Sequence, residues 1–412
     1  EWGRTWRDYR ITKPEKMSRV FGPLTRFKLY ERLDDNQNWQ IDFSRPRVKV
    51  WAYLKRHYSR VQRQFNFDFM RGDMSHVQMR PEGVPKQPVP YYDIHKEVKK
   101  GIIKAKPYFA YFAESFLAPP DTMGYGDEVE HLIASEAEVT LGDLQSMVVG
   151  SPLFMKSFKQ YLSIADNTNL RPCFSIMTAD KDDPRFDEFY IAGNEARLFT
   201  GLFLTDMPSY MGLGFECRDV HLKPAPNEHY TKLYVFQISM GPKATKGPYQ
   251  WGQNKALFDQ LQSIRKLADE ILPEIQHYKT QWLLRPSLRT KQIAWTQAGK
   301  ETYIFMVNLN LEKTAQKIKI PFQPNCKVNL LFSTNEIREP DVHNNKEGLI
   351  ITQLAPGECR VYAVVKGQRA KSKEQRAKNK GQRAKNKEQR AKSKEQRAKN
   401  KGQRTMNIEH RT

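Results

Sequence analysis

Between residues 47 and 272 the hydrophobic period of the chain switches repeatedly between helical and strand-like. Residues 47–62 repeat their apolar side chains at helical spacing, and 65–70 (Phe-Asn-Phe-Asp-Phe-Met) follow as a strand. The same change recurs at 93–104 and 108–113, at 155–165 and 173–178, and at 195–204 and 209–213. A shorter strand is expected at 139–141, and a long helix at 254–272. Apolar strands alternating with helices predict a parallel sheet covered by helices.

Beyond about residue 275 the pattern becomes strand after strand, at 292–296, 303–308, 317–320, 327–332, 348–352 and 360–365, with turn residues between. Short alternating runs of this kind predict a β-sandwich with one face buried.

The 412 residues carry a formal charge of +22, which on its own would point to a nucleic-acid partner. Its distribution says otherwise. Residues 366–412 hold 18 Lys and Arg against 4 Asp and Glu, leaving only +8 for the rest. This tail consists of five heptads, Lys-(Glu/Gly)-Gln-Arg-Ala-Lys-(Ser/Asn), and a degenerate sixth from Lys401 to Asn407. One Ala per heptad makes no coiled-coil seam. The tail reads either as a solvated segment, disordered or partly helical, or as a translated tandem repeat beyond the folded part. Nucleic acid would meet it only through nonspecific charge. No apolar run approaches the roughly 20 residues of a membrane span, so no membrane partner is expected. Cys173, Cys217, Cys326 and Cys359 are too scattered for ligand pairs or a disulfide framework. They read as free thiols, which favours the cytoplasm, though the start of the chain gives no localisation signal.

Acidic residues follow three of the expected strands: Asp73 after Arg71-Gly72, Glu114, and Asp180-Lys181-Asp182-Asp183. In a parallel barrel those strand ends gather on one face, where catalytic groups sit. Two carboxyls with different surroundings suit glycoside hydrolysis, in which one protonates the leaving oxygen and the other attacks the sugar. Arg71 beside Asp73 favours an ionised attacking group. Phe112, Ala113, Phe116 and Leu117 surround Glu114 with the apolar setting of a proton donor. A retaining pair is expected about 5–5.5 Å apart.

Phe69-Met-Arg71-Gly-Asp73-Met-Ser-His76 resembles the fourth-strand signature of the alpha-amylase family (glycoside hydrolase family thirteen). Phe112-Ala-Glu114-Ser-Phe116 resembles its fifth-strand segment, and Asp180-Lys-Asp182-Asp-Pro-Arg185 its seventh. Residues 40–48 look like the lead-in to the fourth strand, and 202–212 like the stretch through the eighth. The resemblance implies a retaining enzyme acting on α-glucans or maltooligosaccharides through a covalent glycosyl-enzyme. Its fold would be α/β, a partial (β/α)8 TIM barrel of about strands four to eight, followed by an all-β sandwich. Asp73 would be the nucleophile, Glu114 the acid/base and Asp182 the transition-state stabiliser. Arg71, His76, Asp180, Lys181 and Arg185 would bind substrate or support the site.

The chain departs from the family pattern in three places. Lys181 replaces the seventh-strand His, and Asp180 its Asn. His76 follows Arg71 by five residues, a spacing that, with the segment after Glu114, is more similar to members that transfer maltosyl units. The family's first signature, after the third strand, is absent, so the chain is expected to be the C-terminal part of a longer enzyme. Residues 1–35 are then the remnant of an insertion, 36–275 the barrel, 276–365 the sandwich and 366–412 the tail. Hydrolysis and transglycosylation both stay open, as do an inactive carbohydrate-binding fragment and a polyanion binder acting through the tail. Asp180, Asp182, Asp183 and Asp187 raise the possibility of Ca2+. Catalysis and pairing with Lys181 and Arg185 account for them without it, and no cofactor or metal is expected. Tyr91, Tyr92 and Tyr125 suit sugar stacking or packing equally. Glu216 and Asp219 suit an acceptor site or pairing with Arg218, and His57 reads as a surface residue.

Overall fold

The computed structural model describes residues 29–32, 41–73, 75–78, 80, 83–87, 89–118, 127–177, 193–212, 237–238, 249–250, 255–299, 301–323, 326–335, 342–346 and 348–365. The expectations for 1–28, for the acidic segment 180–187 and for the basic repeats fall outside these residues.

A short antiparallel pair, β1 (Tyr30–Arg32) and β2 (Ile41–Pro46), leads into helix α1 (Val48–Phe65). Strands β3 (Phe69–Gly72), β4 (Ala110–Ala113), β5 (Val139–Thr140) and β6 (Arg171–Pro172) then lie side by side, all parallel. Strand β7 (Phe174–Met177) pairs in parallel with β8 (Ser209–Gly212). Only Cys173 separates β6 from β7. Its N–H donates to the Thr140 carbonyl at 2.8 Å, and the next N–H, of Phe174, donates to Pro208 at 2.8 Å. One continuous stretch thus hands its hydrogen bonds from β5 to β8, which joins five parallel strands in chain order. Phe112 of β4 and Tyr210 of β8 meet with ring centroids 5.6 Å apart across the intervening strands, so the array curls.

Helices fill the crossovers: α2 (Ile94–Ile102), α3 (Glu128–Ala134), α4 (Pro152–Asn167) and α5 (Asn194–Phe203), with α6 (Lys255–Ile275) following. Their starts are chemically marked. Asp93 accepts the Lys96 N–H at 2.9 Å, Asp127 accepts the Val129 N–H at 2.9 Å, and Ser151 accepts the Phe154 N–H at 3.2 Å ahead of Pro152. On α4, Phe154, Met155, Phe158, Tyr161 and Leu162 are all buried, the one-sided spacing of a helix laid on a sheet. The strand expected at 65–70 begins only at Phe69. Helix α1 continues through Phe65 until Asn66, left-handed at φ 53°, returns its N–H to the Gln62 carbonyl at 2.7 Å and ends it.

Strands β9 (Gln237–Ile238) and β10 (Tyr249–Gln250) form a small antiparallel pair. The remaining strands are β11 (Gln281–Leu284), β12 (Gln292–Ala298), β13 (Thr302–Asn308), β14 (Ala315–Ile320), β15 (Lys327–Ser333), β16 (Val342–Asn345), β17 (Gly348–Leu354) and β18 (Cys359–Val365). They make a five-stranded sheet, β11-β12-β13-β18-β15, and a three-stranded one, β14-β17-β16. Ala294, Ile304, Met306 and Tyr362 of the larger sheet share a core with Ile318, Ile320, Leu349 and Ile351 of the smaller. The expectation of a single buried face fails here. Trp295, Phe305, Val307 and Val361 point the other way and join the core formed by α4, α5, α6 and the parallel strands. Successive side chains of a strand point to opposite faces, so β12, β13 and β18 are apolar on both.

Phe199 of α5 stands at this junction, fully buried, with ring centroids 4.8 Å from Phe203, 6.3 Å from Trp295 and 6.2 Å from Phe305. Phe199→Ala is expected to destabilise the protein by about 3–5 kcal/mol. Helical ellipticity and near-ultraviolet aromatic signals, followed together on heating, should both shift to lower temperature.

Candidate active site

The register of β3 against β4 brings the candidate carboxyls together. Arg71 is level with Phe112 and Gly72 with Ala113, so Asp73 and Glu114, one residue further on, emerge side by side. The Glu114 N–H donates to the Gly72 carbonyl at 2.9 Å, and the Ser75 N–H donates to the Glu114 carbonyl at 2.8 Å. Below this level Tyr111 donates its hydroxyl to Ser75 Oγ at 2.8 Å, and Ser75 donates to the Gly72 carbonyl at 2.9 Å. A Cβ on Gly72 would lie 2.7 Å from His95 Nε2 and 2.8 Å from Ser75 Oγ, so the backbone beneath Asp73 passes where only glycine fits.

Arg71 joins the two acids. One guanidinium nitrogen is 2.8 Å from Asp73 Oδ1 and the other 2.9 Å from Glu114 Oε1. Asp73 is 76% exposed at its side chain and Glu114 only 15%. The Asp73 carboxyl is held below the usual aspartate range, first by a hydrogen bond shared with Glu114. Partial burial opposes this, and the Arg71 hydrogen bond and charge and the His76 charge reinforce it. Arg71 draws both groups onto one planar cation.

Loss of Arg71 should raise the Asp73 carboxyl toward its ordinary range. If the ionised form is the working form, Arg71→Met should move the acid limb of the kcat/KM profile to higher pH, by about one unit or more. An unmoved limb would show that Arg71 does not hold Asp73 ionised.

His76 lies in the short turn 75–78, only 1% exposed, with its ring 5.6 Å from Phe116. Asp180, Lys181, Asp182, Arg185, Tyr125, Glu216 and Asp219 lie outside the described residues. Tyr91 packs edge-on against Trp51, at 5.4 Å, and Tyr92 stacks on His131, at 5.7 Å. His57 is half-buried between Tyr53 and Tyr58. Among the described residues no three His, Cys, Asp or Glu side chains converge as metal ligands, and no helix is long and apolar enough to cross a membrane. Cys173 and Cys359 are buried free thiols, and burial pushes the Cys173 thiol up to about 12.

One residue near the site escaped the sequence reading. Glu128 is 1% exposed and takes the Ser115 hydroxyl and the Ala118 N–H. The Asp127-Glu128-Val129-Glu130 run signals a helix start, but nothing in it signals a side chain reaching back to the loop after Glu114.

No protein-family profile matches the chain, and no curated protein sequence does. Solved structures do. An α-amylase from H. orenii aligns at 14% identity over 79% of this chain and 66% of its own, with a TM-score of 0.50. An Anoxybacillus α-amylase aligns at 14% identity over 85% and 73%, and a Geobacillus thermoleovorans α-amylase complexed with acarbose at 13% over 85% and 74%, each with a TM-score of 0.48. The chain spans just under two thirds of the first of these. Its fold is α-amylase-like.

Proposed function

We propose that the chain is a retaining glycosidase acting on α-1,4-linked glucans through a covalent glycosyl-enzyme. The observation that carries this reading is the Arg71 bridge. It joins an exposed aspartate, held below its usual range, and a more buried glutamate at the ends of adjacent parallel strands. In the first step an oxygen of Asp73 bonds to the anomeric carbon while the glycosidic C–O bond breaks. Glu114 gives its proton to the departing oxygen. In the second step Glu114 takes a proton from water, whose oxygen displaces Asp73 from the sugar carbon. Arg71 keeps Asp73 charged, and Asp182 would hold sugar hydroxyls as positive charge builds on the ring. Asp180, Lys181 and Arg185 would contact the substrate nearby, with His76 supporting Asp73 from the interior side.

In this reading β3 to β8 correspond to strands four to eight of a (β/α)8 barrel within residues 36–275. The two antiparallel sheets are a β-sandwich domain spanning 276–365, and 366–412 form a separate basic tail. Transfer to a sugar acceptor needs the same first step and differs only in what attacks second. It is favoured by the five-residue Arg71-to-His76 spacing and the segment after Glu114.

A fluorinated α-glucosyl fluoride tests the proposal, because its electron-withdrawing substituent slows release from the enzyme. Peptide mapping by mass spectrometry should find the sugar ester on Asp73. A label elsewhere, or inverted products from a simple α-glucoside, would overturn the reading. Products formed with maltose present separate hydrolysis from transfer.

A further inference from the structure

The chain leaves Glu114 through Ser115, Phe116, Leu117 and Ala118. Leu117 is left-handed, at φ 53°, and only 5% exposed. A residue with a Cβ keeps that conformation only where its surroundings impose it. Here the surroundings include one carboxylate. Glu128, in the first turn of α3, accepts the Ser115 hydroxyl and the Ala118 N–H at 3.3 Å, and the Leu117 N–H lies 3.5 Å from Ser115 Oγ, which accepts it. The carboxylate thus holds both ends of the four-residue loop 115–118. On the other side the Ser115 carbonyl accepts Thr140 Oγ1 at 3.2 Å and the Gly142 N–H at 2.8 Å. Ser115 is fully buried between these ties. The residue immediately before it is Glu114.

We propose that Glu128 is a positioning residue for the proton donor. By tying Ser115 and Ala118 to its carboxylate it fixes the path of the chain out of β4, and with it the angle at which Glu114 meets Arg71 and Asp73. This rests on the reading of Glu114 as the acid/base. Burial raises the Glu128 carboxyl, opposed by its donors, and its second oxygen has no hydrogen-bond partner among the described residues. A neutral amide can therefore stand in for it, since its carbonyl oxygen can take the same donors.

The test compares Glu128→Ala with Glu128→Gln in the full chain, on a maltooligosaccharide and on α-glucosyl fluoride, whose leaving group needs little protonation. Glu128→Ala is expected to lower kcat/KM on the maltooligosaccharide about a hundredfold while changing kcat/KM on the fluoride, which reports the first step alone, only about threefold. Glu128→Gln should restore the first. Equal losses on both substrates in a folded protein would overturn the proposal, leaving Glu128 a role in stability alone. A second readout needs no turnover. In chain labelled with carboxyl-13C glutamate, the Glu114 signal is assigned by its disappearance in Glu114→Gln and followed through a pH titration. Its midpoint should move in Glu128→Ala and return in Glu128→Gln. An unmoved midpoint would overturn the positioning role. Absence of turnover in the unmodified chain would instead count against the glycosidase reading and leave the positioning role to be decided by this titration. If Glu128→Ala does not fold, Glu128→Asp, one methylene shorter, serves in its place.

Discussion

Asp73→Asn is expected to lower turnover of α-glucans by roughly ten-thousand- to million-fold, the largest loss any single substitution should cause. The amide keeps the size of the side chain and removes the charge that must attack the sugar carbon. No glycosyl-enzyme can form, and water must displace the leaving group unaided. The fold should hardly notice. The Asp73 side chain is 76% exposed, and an exposed ion pair with Arg71 contributes only about 0–1 kcal/mol. The check is kcat/KM beside a thermal melt, with activity lost and melting temperature nearly unchanged. Near-normal turnover in Asp73→Asn would remove Asp73 from the mechanism. A collapsed melting temperature would make the loss of activity uninformative.

Glu114→Gln should show a different pattern, dependent on the substrate. Natural α-glucans leave as alkoxides and need the proton, so their turnover should fall about a hundred- to ten-thousandfold. An activated aryl glycoside or a glycosyl fluoride leaves without much help. Its first step should survive, and the glycosyl-enzyme should accumulate because no base activates water. Azide, an anion that needs no deprotonation, should then release the sugar as a glycosyl azide and raise the rate. If activated and natural substrates lose equally, or azide changes nothing, Glu114 is not the acid/base. Asp73 and Glu114 share Arg71, so these two substitutions should not combine additively.

The site could be read from sequence to the extent that register determines it. Arg71-Gly72-Asp73 and Ala113-Glu114 each close an apolar run, and parallel pairing in register is enough to set their acids together. Glu128 was invisible, because its partners are a hydroxyl and a backbone N–H of a loop whose shape no residue pattern encodes. The helix expected at 93–104 was placed at its Asp93 start, whereas the one expected at 155–165 begins earlier, at Pro152 after the Ser151 cap, and α3, only seven residues long, offers too few turns for a period to emerge. Phe65 was misassigned for a similar reason. Three aromatics at alternate positions, Phe65, Phe67 and Phe69, look like a strand, yet the left-handed Asn66 divides them between a helix end and a later strand. Strands β11 and β16, four residues each, lacked the length to alternate. The two-sided burial of β13 was hidden because Tyr303 to Val307 is uniformly apolar and carries no polar face to contradict a one-sided reading.

The aromatic junction beneath α5 bears on how such a chain can be cut or fail. Phe199 and Phe203 belong to the helix, and Trp295 and Phe305 to the antiparallel sheet. Phe203 and Phe305 stack at 5.0 Å and Trp295 and Phe305 at 5.4 Å. Severing the chain between α6 and β11 and separating the pieces would bare this stack on both of them. Contiguous apolar surface of that kind drives self-association in water. Neither fragment should be obtainable as a soluble monomer, although the two expressed together could reassemble. In a cell the same stack would act as an inspection point. A chain whose late strands β12 and β13 had not closed over α5 would display exposed rings to chaperones and proteases until they did.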